Sequence, residues 1–374
     1  MTYQFGKTDQ SPKAARFDET KLQRLSEYYA KLVESGRVQA AGFLMARDGK
    51  IFAHQAIGKL RFEPGKEQEI CQPDSIKRIA SISKVFTATA IMQLIEEGAI
   101  WLAQSVSTII PEFNTDMHRG ITIWNLLTHT SGLPADGGYF TEPYPIDRFA
   151  FMFAEDWLKK GVLSGPLQNK PGAEWNYCSI GFNILAEIVT RVSGLHFKDY
   201  VEKKIFQPLG MTRSFMEVPA ALFPEICTVN EWDIKIMENM GFRDFSPNGG
   251  GGVYSTLADL NRFAQAFLNK GEWQGKRILS KKSVEEMTRN QLDGVPSFHW
   301  GLNCKNYRQG LGWGFFADGS TVGPATYNHE GWGWCSLFVD PVENFTYVSF
   351  SADSSDWSPD VQVKPRGIAF SGLL

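Results

Sequence analysis

The 374-residue sequence has no run of about 18 consecutive apolar residues and no cluster of basic residues. The first absence removes the usual signal of a membrane-spanning helix. A net charge of −3 and an isoelectric point near 6.1 give the chain no electrostatic attraction for a phosphate backbone. We therefore expect a protein that binds neither nucleic acid nor a membrane.

Cysteine is scarce, and the five cysteines are dispersed without a CxxC pair: Cys71, Cys178, Cys227, Cys304 and Cys335. An odd, scattered set is typical of free thiols in a reducing compartment, rather than of a disulfide framework or a zinc site. The polar segment from Met1 to Arg16 also lacks the apolar core of a secretory signal. These features predict a cytoplasmic protein.

Cofactor motifs are missing as well. There is no HExxH or other cluster of metal ligands, and no GxGxxG follows a predicted strand. The glycines at 249–252 lack the Gly-Lys-Ser/Thr of a phosphate-binding loop, and we interpret them as a tight crossing of the chain. We expect no metal and no cofactor, which argues against an oxidoreductase.

The apolar content of 43% is enough for a large core, and the elements that would enclose it are readable. Helices are predicted from Asp18 to about Ser35, after Tyr177, and from Leu257 to Leu268. Asp48-Gly49 between two apolar runs predicts a hairpin, and a second hairpin is predicted around residues 340–344. Strand signals largely disappear between residues 101 and 247. The sequence therefore predicts an α+β fold, with a sheet built from both ends of the chain and a helical middle.

The chemically most informative stretch is a predicted helix start at Ser81 and Lys84. Their i, i+3 spacing puts both side chains on one helix face, within hydrogen-bonding reach of each other. Burial lowers the pKa of a lysine, so that its amine can take a proton from a neighbouring serine. Ser81 is thus a candidate nucleophile with its own base, although Ser-x-x-Lys is a common pattern and a solvated helix start is the alternative.

Five collinear motifs resemble the serine β-lactamase-like family, which includes class C β-lactamases, DD-peptidases, D-aminopeptidases and family VIII carboxylesterases. The resemblance covers residues 20–352, and its motifs are Arg78–Lys84, Leu126–Pro134, Phe206–Met211, Gly251–Thr256 and Phe338–Pro341. It implies an antiparallel sheet flanked by helices in a domain of residues 18–98 and 248–374. It also implies an inserted, mainly helical domain of residues 99–247, with the active site between the two.

The resemblance also implies roles for individual residues. Ser81 and Lys84 match the nucleophile and its base, and Tyr177 matches the tyrosine of a Tyr-x-Asn motif that relays protons to the leaving group. The implied oxyanion hole consists of the backbone N–H groups of Ser81 and Trp332. Gly331 would let the backbone approach the substrate closely.

Two positions depart from the family pattern. Ser179 replaces the asparagine of Tyr-x-Asn, and His329 replaces the lysine of a Lys-Thr-Gly motif. A histidine supplies little fixed positive charge near neutral pH, so a substrate carboxylate would be held weakly. We expect Ser179, His329, Gly331 and Trp332 to contact substrate.

These departures favour a carboxylesterase with a small-molecule ester substrate. A D-aminopeptidase or amidase, a weak β-lactamase or DD-peptidase, an acyltransferase and a non-catalytic scaffold are the alternatives. Trp300, Trp313 and Trp334 are further candidates for lining an apolar pocket, and we expect some of these tryptophans to be ordinary core. His129 has the residue type of a general base, but we interpret it as holding its own turn by hydrogen bonds. The oligomeric state is left open.

Overall fold

The computed structural model describes residues 2–136, 155–238, 246–299, 302–304, 307–315, 321–353 and 358–374. In these residues the α-helices are α1 Glu19–Glu34, α2 Ser83–Glu96, α3 Ile123–Leu127, α4 Ser179–Ser193, α5 Phe197–Val201, α6 Glu231–Glu238, α7 Leu257–Leu268, α8 Lys281–Met287 and α9 Val363–Phe370. The strands are β1 Gln4–Phe5, β2 Ala40–Arg47, β3 Lys50–Gly58, β4 Lys77–Arg78, β5 Tyr254–Ser255, β6 Glu272–Trp273, β7 Lys276–Arg277, β8 Ser297–His299, β9 Leu302–Cys304, β10 Arg308–Gln309, β11 Gly314–Phe315, β12 Tyr327–Gly331, β13 Cys335–Asp340 and β14 Phe345–Ala352.

The main sheet has eight antiparallel strands in the order β1-β3-β2-β14-β13-β12-β11-β10. Alternate residues of a strand point to opposite faces, and here helices cover both faces. On one face, Phe43 and Met45 of β2 belong to a core that also contains residues of α1 and α9. On the other face, Leu44 and Ala46 belong to a larger core with residues of α2, α4 and α7. The predicted α+β fold, with an antiparallel sheet between helices, is confirmed.

The hairpins are where the sequence predicts them. β2 pairs with β3 across Asp48 and Gly49, whose φ angles of 52° and 76° are the left-handed values that a tight hairpin turn requires. β13 pairs with β14 across the second turn. Because strands of the main sheet come from both ends of the chain, closing it brings distant segments of sequence together.

Three predicted helices also match closely. Asp18 caps α1 by accepting the N–H of Thr20, and α4 ends at Gly194, whose φ of 72° provides the left-handed cap. α7 has the predicted bounds.

The division into a sheet domain and a helical domain stays a prediction. In the part of the chain that the structure describes, no helix is long and apolar enough to cross a membrane.

The start of α2 differs from the prediction in one respect that matters for the site. Ser81 lies in a short 3-10 turn, Ala80–Ile82, and α2 begins only at Ser83. Ala80 has a φ of 44°, a strained value for a residue with a Cβ, so a regular helix cannot continue backwards through it. The chain before it is held in place by the pairing of β4 with β5.

Candidate active site

Ser81 and Lys84 meet at the junction between the 3-10 turn and α2. Lys84 Nζ lies 2.9 Å from Ser81 Oγ, so the contact that the spacing predicts is present. Ser81 is partly exposed, whereas Lys84 is completely buried. A solvent-accessible hydroxyl therefore lies within hydrogen-bonding distance of a buried amine.

The amine of Lys84 has two further partners. Its Nζ lies 2.9 Å from Ser179 Oγ and 2.8 Å from the carbonyl oxygen of Gly250. Burial lowers the pKa of Lys84 to about 8, against the opposing effect of the Asp136 carboxylate. About a tenth of this lysine is therefore uncharged at pH 7, and about half at pH 8, and this neutral form can accept a proton.

The carbonyl of Gly250 belongs to the glycine run that the sequence marks as a tight chain crossing. A Cβ on Gly249 would lie 2.5 Å from the carbonyl oxygen of Phe182, and one on Gly250 would lie 2.7 Å from that of Ser179. Side chains are thus excluded where this segment passes α4. The interpretation as a crossing is confirmed, and its consequence is a backbone acceptor for Lys84.

The segment that carries Tyr177 and Ser179 is positioned by His129. Nδ1 of His129 accepts the backbone N–H of Cys178 at 3.0 Å, and the carbonyl of His129 accepts the N–H of Asn176 at 2.8 Å. The imidazole is buried, which lowers its pKa well below the usual range. Its hydrogen bonds hold backbone, as the sequence interpretation predicts, but the backbone is that of the distant segment 176–178 and not that of its own turn.

Held in this way, Tyr177 presents its ring to the amine of Lys84, with Nζ 4.8 Å from the ring centroid. This distance is within the range of a cation–π contact, which favours the charged lysine. Tyr177 is therefore a neighbour in space of Ser81 and Lys84, although it lies far from both in sequence.

Asp136 is a site residue that the sequence analysis missed. Its carboxylate accepts the backbone N–H of Ser179 at 2.8 Å and also accepts the hydroxyl of Ser179. Its own N–H donates to the carbonyl of Tyr177 at 2.8 Å. Burial raises the pKa of this carboxyl, while Lys84 and Ser179 act in the opposite direction. The only signal in the sequence is its position two residues beyond the Leu126–Pro134 motif.

The end of β12 lies against Ser81. A Cβ on Gly331 would lie 2.1 Å from the carbonyl oxygen of Ile79 and 3.4 Å from the backbone nitrogen of Ser81. Only glycine fits there without a shift of the backbone. The turn that begins with Trp332 therefore starts beside the N–H of Ser81.

His329 lies in the same strand and is buried, with only 9% of its surface exposed. Its Nδ1 is 2.8 Å from the carbonyl oxygen of Glu330, which only accepts hydrogen bonds, so Nδ1 carries the proton. Burial, reinforced by Lys84, lowers the pKa of His329 to about 3. The position where the family pattern has a lysine is therefore uncharged at neutral pH.

Two of the described tryptophans near the site are exposed, and two others are buried in the cores. Trp332 is 39% exposed and Trp232 of α6 is 46% exposed, and their rings meet edge to face at 5.6 Å. Trp313 and Trp334 are buried in the two cores, so they are the ordinary core residues expected among these tryptophans. Trp300 lies outside the described residues.

Comparison with known proteins agrees with this geometry. A family model described as "Beta-lactamase" matches residues 25–369. The chain belongs to the beta-lactamase family. This family consists of serine hydrolases that include esterases, peptidases and β-lactamases.

Individual relatives are distant. A Salmonella agona (strain SL483) protein named "Putative D-alanyl-D-alanine carboxypeptidase" is 25% identical, and the match covers 98% of this chain and 90% of that protein. A solved family VIII carboxylesterase is similar with a TM-score of 0.75 at 18% identity, covering 98% of this chain and 100% of that chain. A penicillin-binding protein homologue from Caulobacter crescentus gives a TM-score of 0.74 at 16% identity, covering 98% of each chain.

Four of the five cysteines, Cys71, Cys178, Cys227 and Cys335, are buried free thiols. No group of three or more His, Cys, Asp or Glu side chains that could hold a metal ion occurs within the ranges described above.

Proposed function

We propose that the chain is a serine hydrolase that cleaves carboxylic esters through an acyl-enzyme on Ser81. The observation that carries the proposal is the 2.9 Å contact between Ser81 Oγ and the buried amine of Lys84, whose pKa is lowered to about 8. A partly exposed serine beside a lysine that can be neutral is an activated nucleophile.

The proposed reaction has two steps. Ser81 Oγ attacks the ester carbonyl carbon while its proton moves to Lys84 Nζ. The carbonyl oxygen becomes an oxyanion, which accepts hydrogen bonds from the backbone N–H groups of Ser81 and Trp332. The C–O bond to the alcohol then breaks, and the alcohol oxygen takes a proton from Lys84 by way of Tyr177. Water attacks the acyl-enzyme in the second step, releases the carboxylic acid and returns the proton to Ser81.

The electrostatics of the site favour esters that carry no carboxylate. His329 is neutral, so the position where the family pattern has a lysine offers no positive charge. A substrate carboxylate would thus find no cation at position 329. The exposed rings of Trp232 and Trp332 provide apolar surface for an acyl or alcohol group.

A D-alanyl-D-alanine carboxypeptidase is the second candidate. The Salmonella agona protein of that name matches almost the whole chain, although at 25% identity. This activity would require the site to hold the free carboxylate of a peptide without a lysine at position 329.

A parallel assay separates the candidates. Purified protein is given p-nitrophenyl acetate, p-nitrophenyl butyrate, nitrocefin, D-alanine p-nitroanilide and a D-Ala-D-Ala peptide, with S81A as the blank. Fast turnover of the two esters, with slow or absent cleavage of the other three, supports the esterase. Dominant release of D-alanine, or dominant cleavage of nitrocefin or the anilide, would overturn it in favour of a peptidase or β-lactamase. Ester turnover in folded S81A would overturn the proposed nucleophile.

A further inference from the structure

We propose that Asp136 is a positioning residue that acts through Ser179 to direct the lone pair of neutral Lys84 at Ser81. The inference rests on the proposed function, in which Lys84 is the base for Ser81. It assigns a catalytic consequence to the replacement of the family's asparagine by Ser179.

The first step concerns the number of partners of Lys84. A neutral amine has two N–H donors and one lone pair, and Lys84 Nζ has three close partners: Ser81 Oγ, Ser179 Oγ and the carbonyl of Gly250. A carbonyl can only accept, so one N–H must point at Gly250. The remaining N–H and the lone pair are shared between the two serines.

Asp136 decides which serine receives the lone pair. One of its carboxylate oxygens accepts a hydrogen bond from the Ser179 backbone N–H, and the other accepts a hydrogen bond from the Ser179 hydroxyl. With its proton committed to the carboxylate, Ser179 Oγ can only accept from Lys84. The second N–H of Lys84 therefore points at Ser179, and the lone pair is left for the proton of Ser81.

Ser179 and Asp136 together thus reproduce the acceptor that an asparagine amide would supply. An amide oxygen accepts from a lysine without help, whereas an isolated serine hydroxyl can turn its proton toward the lysine instead. Such a turn would occupy the lone pair that Ser81 needs. The carboxylate prevents it, because a charge-assisted hydrogen bond is stronger than a neutral one.

The isosteric variant D136N tests this polarity. In this variant the backbone N–H of Ser179 still needs an acceptor, so it donates to the oxygen of the introduced amide. The amide NH₂ group then faces Ser179 Oγ. The hydroxyl then accepts from the amide and donates to Lys84. We expect D136N to slow labelling of Ser81 by a fluorophosphonate about tenfold or more at pH 10, where Lys84 is neutral in both proteins, which is the size of one charge-assisted hydrogen bond. D116N, which alters an exposed carboxylate paired with Arg119, is the matched control and should label at the wild-type rate.

Two further variants distinguish positioning from a structural role. D136N/S179A removes the misdirected hydroxyl and should label faster than D136N, and D136A/S179N supplies an amide acceptor and should label faster than D136A. A residue that only braces the loop would give double variants no faster than the single ones. Removing the Asp136 charge should also move the acidic limb of kcat/KM to lower pH, because that carboxylate favours charged Lys84.

The outcomes are separable from those of the proposed function. Wild-type labelling rates in D136N, or the absence of both rescues, would overturn the role of Asp136 while leaving Ser81 and Lys84 in place. If D136N fails to fold, the comparison of D136A/S179N with D136A decides in the same way. Fluorophosphonate labelling that persists in S81A would overturn the proposed nucleophile instead.

Discussion

Nδ1 of His129 and the backbone N–H of Cys178, 49 residues apart in sequence, are joined by a 3.0 Å hydrogen bond. This bond fixes the segment on which Tyr177 and Ser179 stand, one on each side of Cys178. The histidine therefore supports the site through the backbone.

Replacing this histidine should cost both stability and activity. In H129A the buried N–H of Cys178 loses its acceptor, which we expect to lower the free energy of unfolding by about 1–3 kcal/mol. Because the pKa of His129 lies well below its usual range, the imidazole does not change charge between pH 6 and 9. Chemical denaturation measures the first effect. If the residual ester activity of H129A lost a limb of the wild-type pH profile in that range, His129 would be a proton-transfer group.

The pH dependence of ester hydrolysis should report Lys84. Only its neutral form accepts the proton of Ser81, and its pKa is lowered to about 8, so kcat/KM should rise with pH and level off above that value. Below the pKa the rate should fall about tenfold per pH unit. Initial rates on p-nitrophenyl butyrate between pH 5 and 10 measure this, with S81A subtracting spontaneous hydrolysis. A profile that is flat from pH 6 to 10 would exclude a titrating lysine as the base.

Gly331 provides a steric test of the proposed oxyanion hole. In G331A the new methyl group would lie 2.1 Å from the carbonyl oxygen of Ile79, so the backbone beside the N–H of Ser81 must shift. We expect kcat/KM for esters to fall about 10²-fold, as when one oxyanion donor is lost. G120A is the matched control, because a Cβ at Gly120 meets no atom within 4 Å. Equal activity in the two variants would mean that this end of β12 takes no part in catalysis.

His329 should decide how substrate carboxylates are treated. H329K places an ammonium group where the structure has a neutral imidazole, so it should raise the turnover of carboxylate-bearing substrates relative to neutral esters. We expect the ratio of D-Ala-D-Ala peptide cleavage to p-nitrophenyl butyrate hydrolysis to increase about tenfold. H329Q controls for the loss of the imidazole and should leave the ratio near that of the wild type. No change in H329K would show that position 329 does not set this preference.

The sequence predicts the fold well because its signals are local or collinear. The turn at Asp48-Gly49, the cap at Asp18 and the glycine after α4 each follow from backbone preferences of one or two residues. The contact between Ser81 and Lys84 is equally local, since it needs only three residues of separation. Placing Tyr177 beside them required the resemblance to the family, because nothing in its neighbours indicates a lysine 93 residues away.

The missed parts of the site depend on how distant segments meet. Asp136 is close to Ser179 only because residues 129–136 pack against the segment before α4, which no periodicity reveals. The Gly250 acceptor is a backbone carbonyl and has no side chain to mark it. Trp313 and Trp334 could not be assigned to the core or to a pocket from the sequence, because a tryptophan in a core and one in a pocket look alike there.

The most direct measurement is mass spectrometry of the protein after reaction with a fluorophosphonate. We expect one adduct per chain, located by peptide mapping on Ser81, together with complete loss of ester hydrolysis. Folded S81A should gain no mass under the same conditions. A stoichiometric adduct on another residue, or full ester turnover by a protein labelled at Ser81, would contradict the assignment of Ser81 as the nucleophile.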